Sequence, residues 1–111
     1  MGKFQVFKST GNSQYYYRLR ASNNEIIQPG EGYTTKVNCL AGIASVKANC
    51  RSERFDKTYV ASQYGFNHKA SNGEIIGRGE KYTTSANRDS GIAAVIREAP
   101  GALVEDNTLN K

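Results

Sequence analysis

The sequence offers little with which to do chemistry. Its 111 residues include one histidine, His68, and two cysteines, Cys39 and Cys50. No cysteine, second histidine or carboxylate stands at a ligand spacing around His68, which argues against the usual zinc patterns. No Ser/His/Asp or Cys/His set is readable. Gly30-Glu31-Gly32 and Gly77-Arg78-Gly79 resemble fragments of phosphate loops, but neither completes a Walker motif or a dinucleotide fingerprint. No apolar run approaches the roughly 18 residues needed to span a bilayer. The N-terminal Met1-Gly2-Lys3-Phe4-Gln5 lacks the apolar stretch of a secretory signal. These absences point to a cytoplasmic protein that is not an enzyme and carries no cofactor or metal.

What the chain does have, it has twice. Ala21-Ser22-Asn23-Asn24-Glu25-Ile26-Ile27 returns as Ala70-Ser71-Asn72-Gly73-Glu74-Ile75-Ile76. The register then holds without a gap. Gly30-Glu31 matches Gly79-Glu80, Tyr33-Thr34-Thr35 matches Tyr82-Thr83-Thr84, and Gly42-Ile43-Ala44 matches Gly91-Ile92-Ala93. The chain is two copies of one supersecondary unit. A unit of about fifty residues buries too little apolar surface to be stable alone. With 38% hydrophobic residues, the two should share a core, giving a single domain over 1–111 with repeats at about 1–55 and 56–111.

Alternation predicts strands. Phe4 and Val6 point one way, Gln5 and Phe7 the other, and Gly11-Asn12 marks a turn. Tyr15, Tyr17, Leu19 and Ala21 form an inward set, opposite Tyr16, Arg18 and Arg20. In the second copy the inward set is Tyr64, Phe66, His68 and Ala70. Asn23-Asn24 and Asn72-Gly73 suit two-residue hairpin turns into short return strands. The turn after Thr58 reads as longer than its counterpart in the first copy. The period then changes, and Thr34 or Thr35 can cap a helix running to about Asn49. Leu40, Ile43, Val46 and Cys50 fall near one helix face, as do Ile92, Val95 and Ala99 in the second copy. Gly42 and Gly91 cost about 1 kcal/mol inside a helix, so their recurrence predicts a close approach of the backbone to the sheet or a neighbouring helix. Cys39 and Cys50 would lie roughly 16 Å apart along such a helix, beyond the roughly 7 Å a disulfide allows. Two buried or half-buried free thiols follow. The order β-β-β-α-β, repeated, makes an α+β layer structure: an antiparallel sheet with two helices on one face.

The stretches Ala70-Ser71-Asn72-Gly73-Glu74-Ile75-Ile76, Glu80-Lys81-Tyr82-Thr83-Thr84 and Gly91-Ile92-Ala93-Ala94-Val95 resemble the YegP-like family of tandem-repeat bacterial proteins. The likeness covers nearly the whole chain. It implies paired units in a single pseudo-symmetric sheet with C-terminal strands exchanged between repeats, and it implies no function. The chain departs from the family pattern at Asn24, where glycine is usual, and at Cys50-Arg51, where Ala-Pro is expected.

Candidate sites are few. His68, on an inward strand position where the first copy has Leu19, reads as structural. Glu31 and Glu80 stand just before helix starts, where negative charge is stabilised by about 0.3–1 kcal/mol. Glu25 and Glu74 follow tight turns and read as solvated. Arg78, Lys81, Thr83 and Thr84 cluster at a helix start, a setting that attracts anions. The uncovered sheet face has more content. There Tyr16, Arg18 and Arg20 project together, joined by Phe7 and Gln5 of the neighbouring strand. An aromatic flanked by arginines on an open sheet stacks bases and holds phosphates in single-strand binders. The second copy has Gly65, Asn67 and Lys69 there, so the platform belongs to the first alone. Charge agrees: seven Lys/Arg face Glu25 and Glu31 through Ser52, whereas eight basic residues face eight acidic ones afterwards. The expected partner is nucleic acid or another protein, with self-association as a further reading, no membrane, and a monomer rather than a dimer.

Overall fold

The computed structural model describes residues 2–108, with Glu80 described by its backbone alone. Repeat one opens with strands β1 (Lys3–Lys8), β2 (Tyr15–Arg20) and β3 (Ile26–Pro29), followed by helix α1 (Lys36–Ala48). A 3-10 turn at Ser52–Arg54 leads into repeat two. Its elements are β4 (Phe55–Val60), β5 (Gln63–Lys69), β6 (Ile75–Tyr82), helix α2 (Ser85–Glu98) and β7 (Leu103–Asp106). The strands form two ladders, β3-β2-β1-β7 and β4-β5-β6. An antiparallel bridge between Gly30 and Gly77 joins them. This is the expected α+β arrangement, with one core shared by both repeats: Phe4, Tyr17 and Ile43 are buried in the same cluster as Phe66, Ile92 and Val95.

One ladder contact runs parallel. Strand β7, the last element of repeat two, lies beside β1 of repeat one, from Lys3↔Leu103 to Val6↔Asp106. A parallel pair cannot be closed by a hairpin and needs a long crossover, which repeat two itself supplies. The exchange goes one way. The chain leaving α1 runs on into β4, which among the described residues pairs with β5 alone.

Local chemistry explains the element boundaries. Thr35 and Thr84 cap the helices, accepting from Asn38 N at 3.1 Å and Asn87 N at 3.0 Å, a contribution of about 1 kcal/mol each. The buried face of α1 is Cys39, Gly42, Ile43 and Val46, while Leu40 is exposed. The inward stripe is therefore rotated from the predicted one, because the Tyr33 ring sits against Gly42 and draws that side into the core. A Cβ on Gly42 would stand 2.3 Å from the Tyr33 hydroxyl, and one on Gly91 would stand 2.4 Å from that of Tyr82. The recurring glycines do mark a close approach, but a tyrosine side chain makes it rather than the sheet or a neighbouring helix. Helix α1 ends at Ala48, so Cys50 lies just beyond it.

The turns correct two expectations. Ala21 N bonds Glu25 O at 2.8 Å, and Asn24 N bonds Ala21 O at 2.8 Å, which makes a turn of three residues rather than two. Its last residue is left-handed, Asn24 at φ 73° and Gly73 at φ 89°, so asparagine can stand where glycine is usual. The β4–β5 turn is the two-residue pair Ala61-Ser62, at φ 53° and 64°. It is shorter than the loop over 9–14, not longer, because two successive left-handed residues match the strand twist in the tightest hairpin.

The seam between the ladders tolerates no added bulk. A Cβ on Gly30 would fall 2.1 Å from Tyr17 Cε2, and Tyr17 is 1% exposed with no room to retreat. Gly30→Ala is expected to destabilise the fold by about 1–3 kcal/mol. Urea unfolding checks this, with Gly73→Ala, which meets no neighbour but keeps a left-handed φ, as the comparison for pure backbone strain.

Candidate functional site

All five residues singled out on the open face converge there. Phe7 and Tyr16 are direct partners across β1 and β2, their rings near parallel at 17° with centroids 5.9 Å apart. The Arg18 guanidinium lies over the Phe7 ring, 4.7 Å from its centroid. Beside them Gln5 Oε1 accepts from Arg18 Nε at 2.9 Å and from Arg20 Nε at 2.7 Å. Gln5 thus spaces the two guanidinium groups along one line. Arg20 also donates to the Asn24 carbonyl at 2.7 Å. Neither arginine forms an ion pair with a described residue, so their positive charge is not neutralised locally.

Residues that periodicity did not assign to this face complete it. Glu105 arrives with β7 opposite Gln5, accepts from Gln5 Nε2 at 2.9 Å and pairs with Lys3 Nζ at 3.1 Å. Lys3 first, then Gln5, holds its carboxyl below the usual range. Asn12 Nδ2 donates to the Tyr16 hydroxyl at 2.9 Å, and that hydroxyl lies 3.5 Å from Gln14 Oε1. The long β1–β2 loop therefore fixes the ring. A polar pair in a turn is too common to mark such a brace in a sequence. Nothing in the periodicity of β7 reveals its neighbour.

The same face of repeat two is different. Gly65, Asn67 and Lys69 replace the aromatic and the arginines, and Lys69 pairs with Asp56 at 2.7 Å. The absent rings leave an open hollow of about 350 Å³ lined by Thr58, Gly65, Asn67, Arg78 and Lys81, among others. Of the suggested anion cluster, Arg78 bonds Glu31 at 2.8 Å, and Thr84 is engaged as the cap of α2. Lys81 sits in β6 at φ 70°, beside a register shift in that ladder. Gly77-Arg78-Gly79 is strand, not a phosphate loop. Arg78 and Lys81 line the hollow while Thr83 and Thr84 do not.

His68 is fully buried and stacked on Phe55, with ring centroids 4.0 Å apart. Its Nε2 donates to the Asn49 carbonyl at 2.8 Å. The Nδ1 is then an acceptor and receives Gln28 Nε2 at 3.2 Å. Both ring nitrogens are committed, which suits a structural histidine. No group of three potential metal-ligating side chains occurs among the described residues. Cys39 and Cys50 are free, and burial pushes both thiols up to about 11, so they stay protonated near neutrality.

Residues 11–56 and 60–106 each match the model of a family described as a domain of unknown function, DUF1508. The chain belongs to this family. It is 46% identical over 48 residues to a UPF0339 protein of Treponema denticola, a match covering 43% of this chain and 81% of that one. It is 51% identical over 47 residues to one of Photorhabdus laumondii, covering 42% and 41%. The Treponema relative is thus little longer than one repeat. The solution NMR structure of yegP from E. coli, a protein of unknown function, superposes with a TM-score of 0.91 at 38% identity, covering 99% of this chain and 96% of that one. A UPF0339 protein from Shewanella oneidensis gives 0.91 at 36% identity, covering 98% and 93%. No helix among the described residues is long and apolar enough to cross a membrane.

The buried histidine has a measurable consequence. Burial lowers its pKa below the ordinary 6.5, against a smaller opposing effect of the Asn49 carbonyl. The unfolded chain therefore binds a proton that the folded chain refuses. The stability tied to neutral His68 is complete above about pH 6.5 and falls as the pH drops from there toward the lowered folded value, by up to ~1.4 kcal/mol per pH unit. Urea unfolding between pH 5 and 7.5 should show this slope, and His68→Leu, the residue of repeat one, should flatten it.

Proposed function

We propose that this chain is a non-catalytic, cytoplasmic binding module whose open face in repeat one holds single-stranded nucleic acid. The observation that carries this reading is the line of Phe7, Tyr16, Arg18 and Arg20 on an uncovered sheet, with both guanidinium groups free of acidic partners among the described residues. Half-exposed rings offer stacking surface to any base, and guanidinium groups in a row match the repeating phosphates of a strand. Such contacts read charge and planarity rather than sequence, so little sequence preference is expected. The free thiols suit a reducing compartment. The partner binds the chain as a monomer, one strand to one face.

Fluorescence anisotropy with short single-stranded RNA and DNA tests this. Tyr16→Ala should weaken binding about 5- to 150-fold, the equivalent of one base–aromatic stack of ~1–3 kcal/mol. Arg18→Ala should weaken it and also reduce the slope of log affinity against log salt by roughly 0.7, one single-strand phosphate contact. Asn67→Ala, at the equivalent place in repeat two, should change neither. Unaltered affinity in the two repeat-one variants, or binding indifferent to salt, would remove this function.

A further inference from the structure

The two repeats differ at their outer edges. In repeat one, β7 covers β1, and Asn107 N donates to Val6 O at 2.8 Å. The counterpart of β1 in repeat two is β4. Phe4 faces Leu19 and Val6 faces Tyr17, just as Phe55 faces His68 and Lys57 faces Phe66. Yet the edge of β4 away from β5 carries no strand among the described residues.

The tight turn tells which backbone groups that edge presents. In a two-residue hairpin the flanking pair, here Val60 and Gln63, exchange both bonds. Alternation then directs the N–H and C=O of Asp56 and Thr58 toward β5. Those of Phe55, Lys57 and Tyr59 point outward. They have the same parity as Phe4 and Val6, the residues that stand beside Val104 and Asp106 in repeat one. The vacant edge thus repeats, in backbone terms, one that the same fold already fills.

We propose that the outer edge of β4 is a docking site for an extended, carboxylate-bearing peptide segment of a partner protein, added as a parallel strand in the place that β7 takes on β1. The side chains specify its chemistry. β7 sets Val104 beside Phe4 and Asp106 beside Val6, where the Asp106 carboxylate pairs with Lys36 of α1. In repeat two the aromatic remains as Phe55, so an apolar residue fits beside it. Lys57 replaces Val6, which places an ammonium beside the position an acid holds in β7. Among the described residues that ammonium pairs only with the exposed carboxylate of Asp89, at 3.3 Å. Between them Asp56 replaces Gln5, so the incoming residue there is neutral or basic, unlike Glu105. The motif is apolar, non-acidic, acidic, with a further residue two positions after the acidic one lying against Tyr59, which is 61% exposed.

A second copy of this chain fits the edge less well. The antiparallel register that satisfies all three outward residues sets Lys57 opposite Lys57 of the other copy, and like charges directly opposite are destabilising. A peptide carrying the carboxylate meets no such repulsion. Strand addition of this kind draws affinity from main-chain bonds and specificity from alternate side chains.

The probe can be taken from the protein itself. Labelled with ¹⁵N, the full chain is titrated with a synthetic peptide of residues 100–108 carrying Glu105→Gln. Saturable amide shifts at Phe55, Lys57 and Tyr59 are expected, with β1 and β2 unmoved. A peptide carrying Asp106→Lys as well should bind about fivefold or more weakly, since an exposed ion pair becomes a repulsion. Lys57→Pro removes one outward N–H, a change that edge strands tolerate. It should abolish binding while the amides of repeat one keep their positions. The proposal is overturned by an unmoved β4 at millimolar peptide, by shifts confined to β1 and β7, or by equal binding of the reversed-charge peptide. Sedimentation showing a dimer that Lys57→Pro dissolves would also overturn it, because the edge would then belong to a second copy.

Discussion

Gly30 and Gly77 form the backbone bridge that joins the two ladders, and the rest of the molecule depends on that contact. Neither glycine is there for flexibility. Each leaves room for a side chain of repeat one: Tyr17 lies against Gly30, and the Gln28 amide fills the space over Gly77. The Tyr17 hydroxyl donates to the Ile76 carbonyl across the seam. Gln28 donates to His68, and His68 donates to the carbonyl of Asn49 at the end of α1. A bonded path thus runs from the return strand of repeat one through the central strand of repeat two to the helix of repeat one. Each such bond contributes only about 0.5–1.5 kcal/mol net, but a partner left unmade in the interior costs about 1–3. The seam therefore decides how the repeats pair more than it adds to stability. Burial keeps the participants neutral, with the Tyr17 phenol pushed above and the His68 imidazole below their ordinary ranges.

Duplication preserved what builds the unit and released what faces water. The threonine caps, the tyrosines against helix glycines, and the glycines that admit Tyr17 and Phe66 recur in both halves. Where the halves touch each other they had to differ. Gln28 of repeat one reaches His68 and fills the space over Gly77, its own counterpart, because two glutamines aimed at the same space would collide. The open faces diverged further, one bearing rings and arginines and the other a hollow around Gly65. A family member little longer than one repeat has no second half with which to make such a division.

The fold was legible because repetition supplies two readings of each element. Alternation assigned Tyr17, Leu19, Phe66 and His68 to the interior, and the glycine in each helix signalled a close approach without naming the tyrosine that makes it. The five residues of the open face were legible for the same reason, since parity along β1 and β2 determines which side chains share a side. What failed was geometry that no periodicity records. The one-residue rotation of α1 depends on where Tyr33 packs. The number of residues in a turn depends on φ at Asn24 or Ala61, and Asn24 could have been read from its tolerance of the left-handed region. The parallel course of β7, and with it Glu105, depends on a contact between opposite ends of the chain. Four residues of sequence carry no address.

That last contact also brings a residue of repeat two to the candidate face of repeat one. Glu105 is a carboxylate from repeat two placed at the border of a face built by repeat one. It engages Lys3 and the Gln5 amide, and its lowered pKa keeps it charged throughout the physiological range. It leaves the Gln5 carbonyl oxygen to Arg18 and Arg20, whose side chains it does not neutralise. The acidic group of the face, paired with Lys3, thus stands at the β7 side, and the two guanidinium groups stand over β2. In the proposed binding mode a strand is expected along β2, parallel to the row of guanidinium groups and within reach of the Phe7 and Tyr16 rings. A symmetric repeat would offer no such direction. By sending its last strand to the other half, repeat two supplies the boundary that gives the open face of repeat one an orientation.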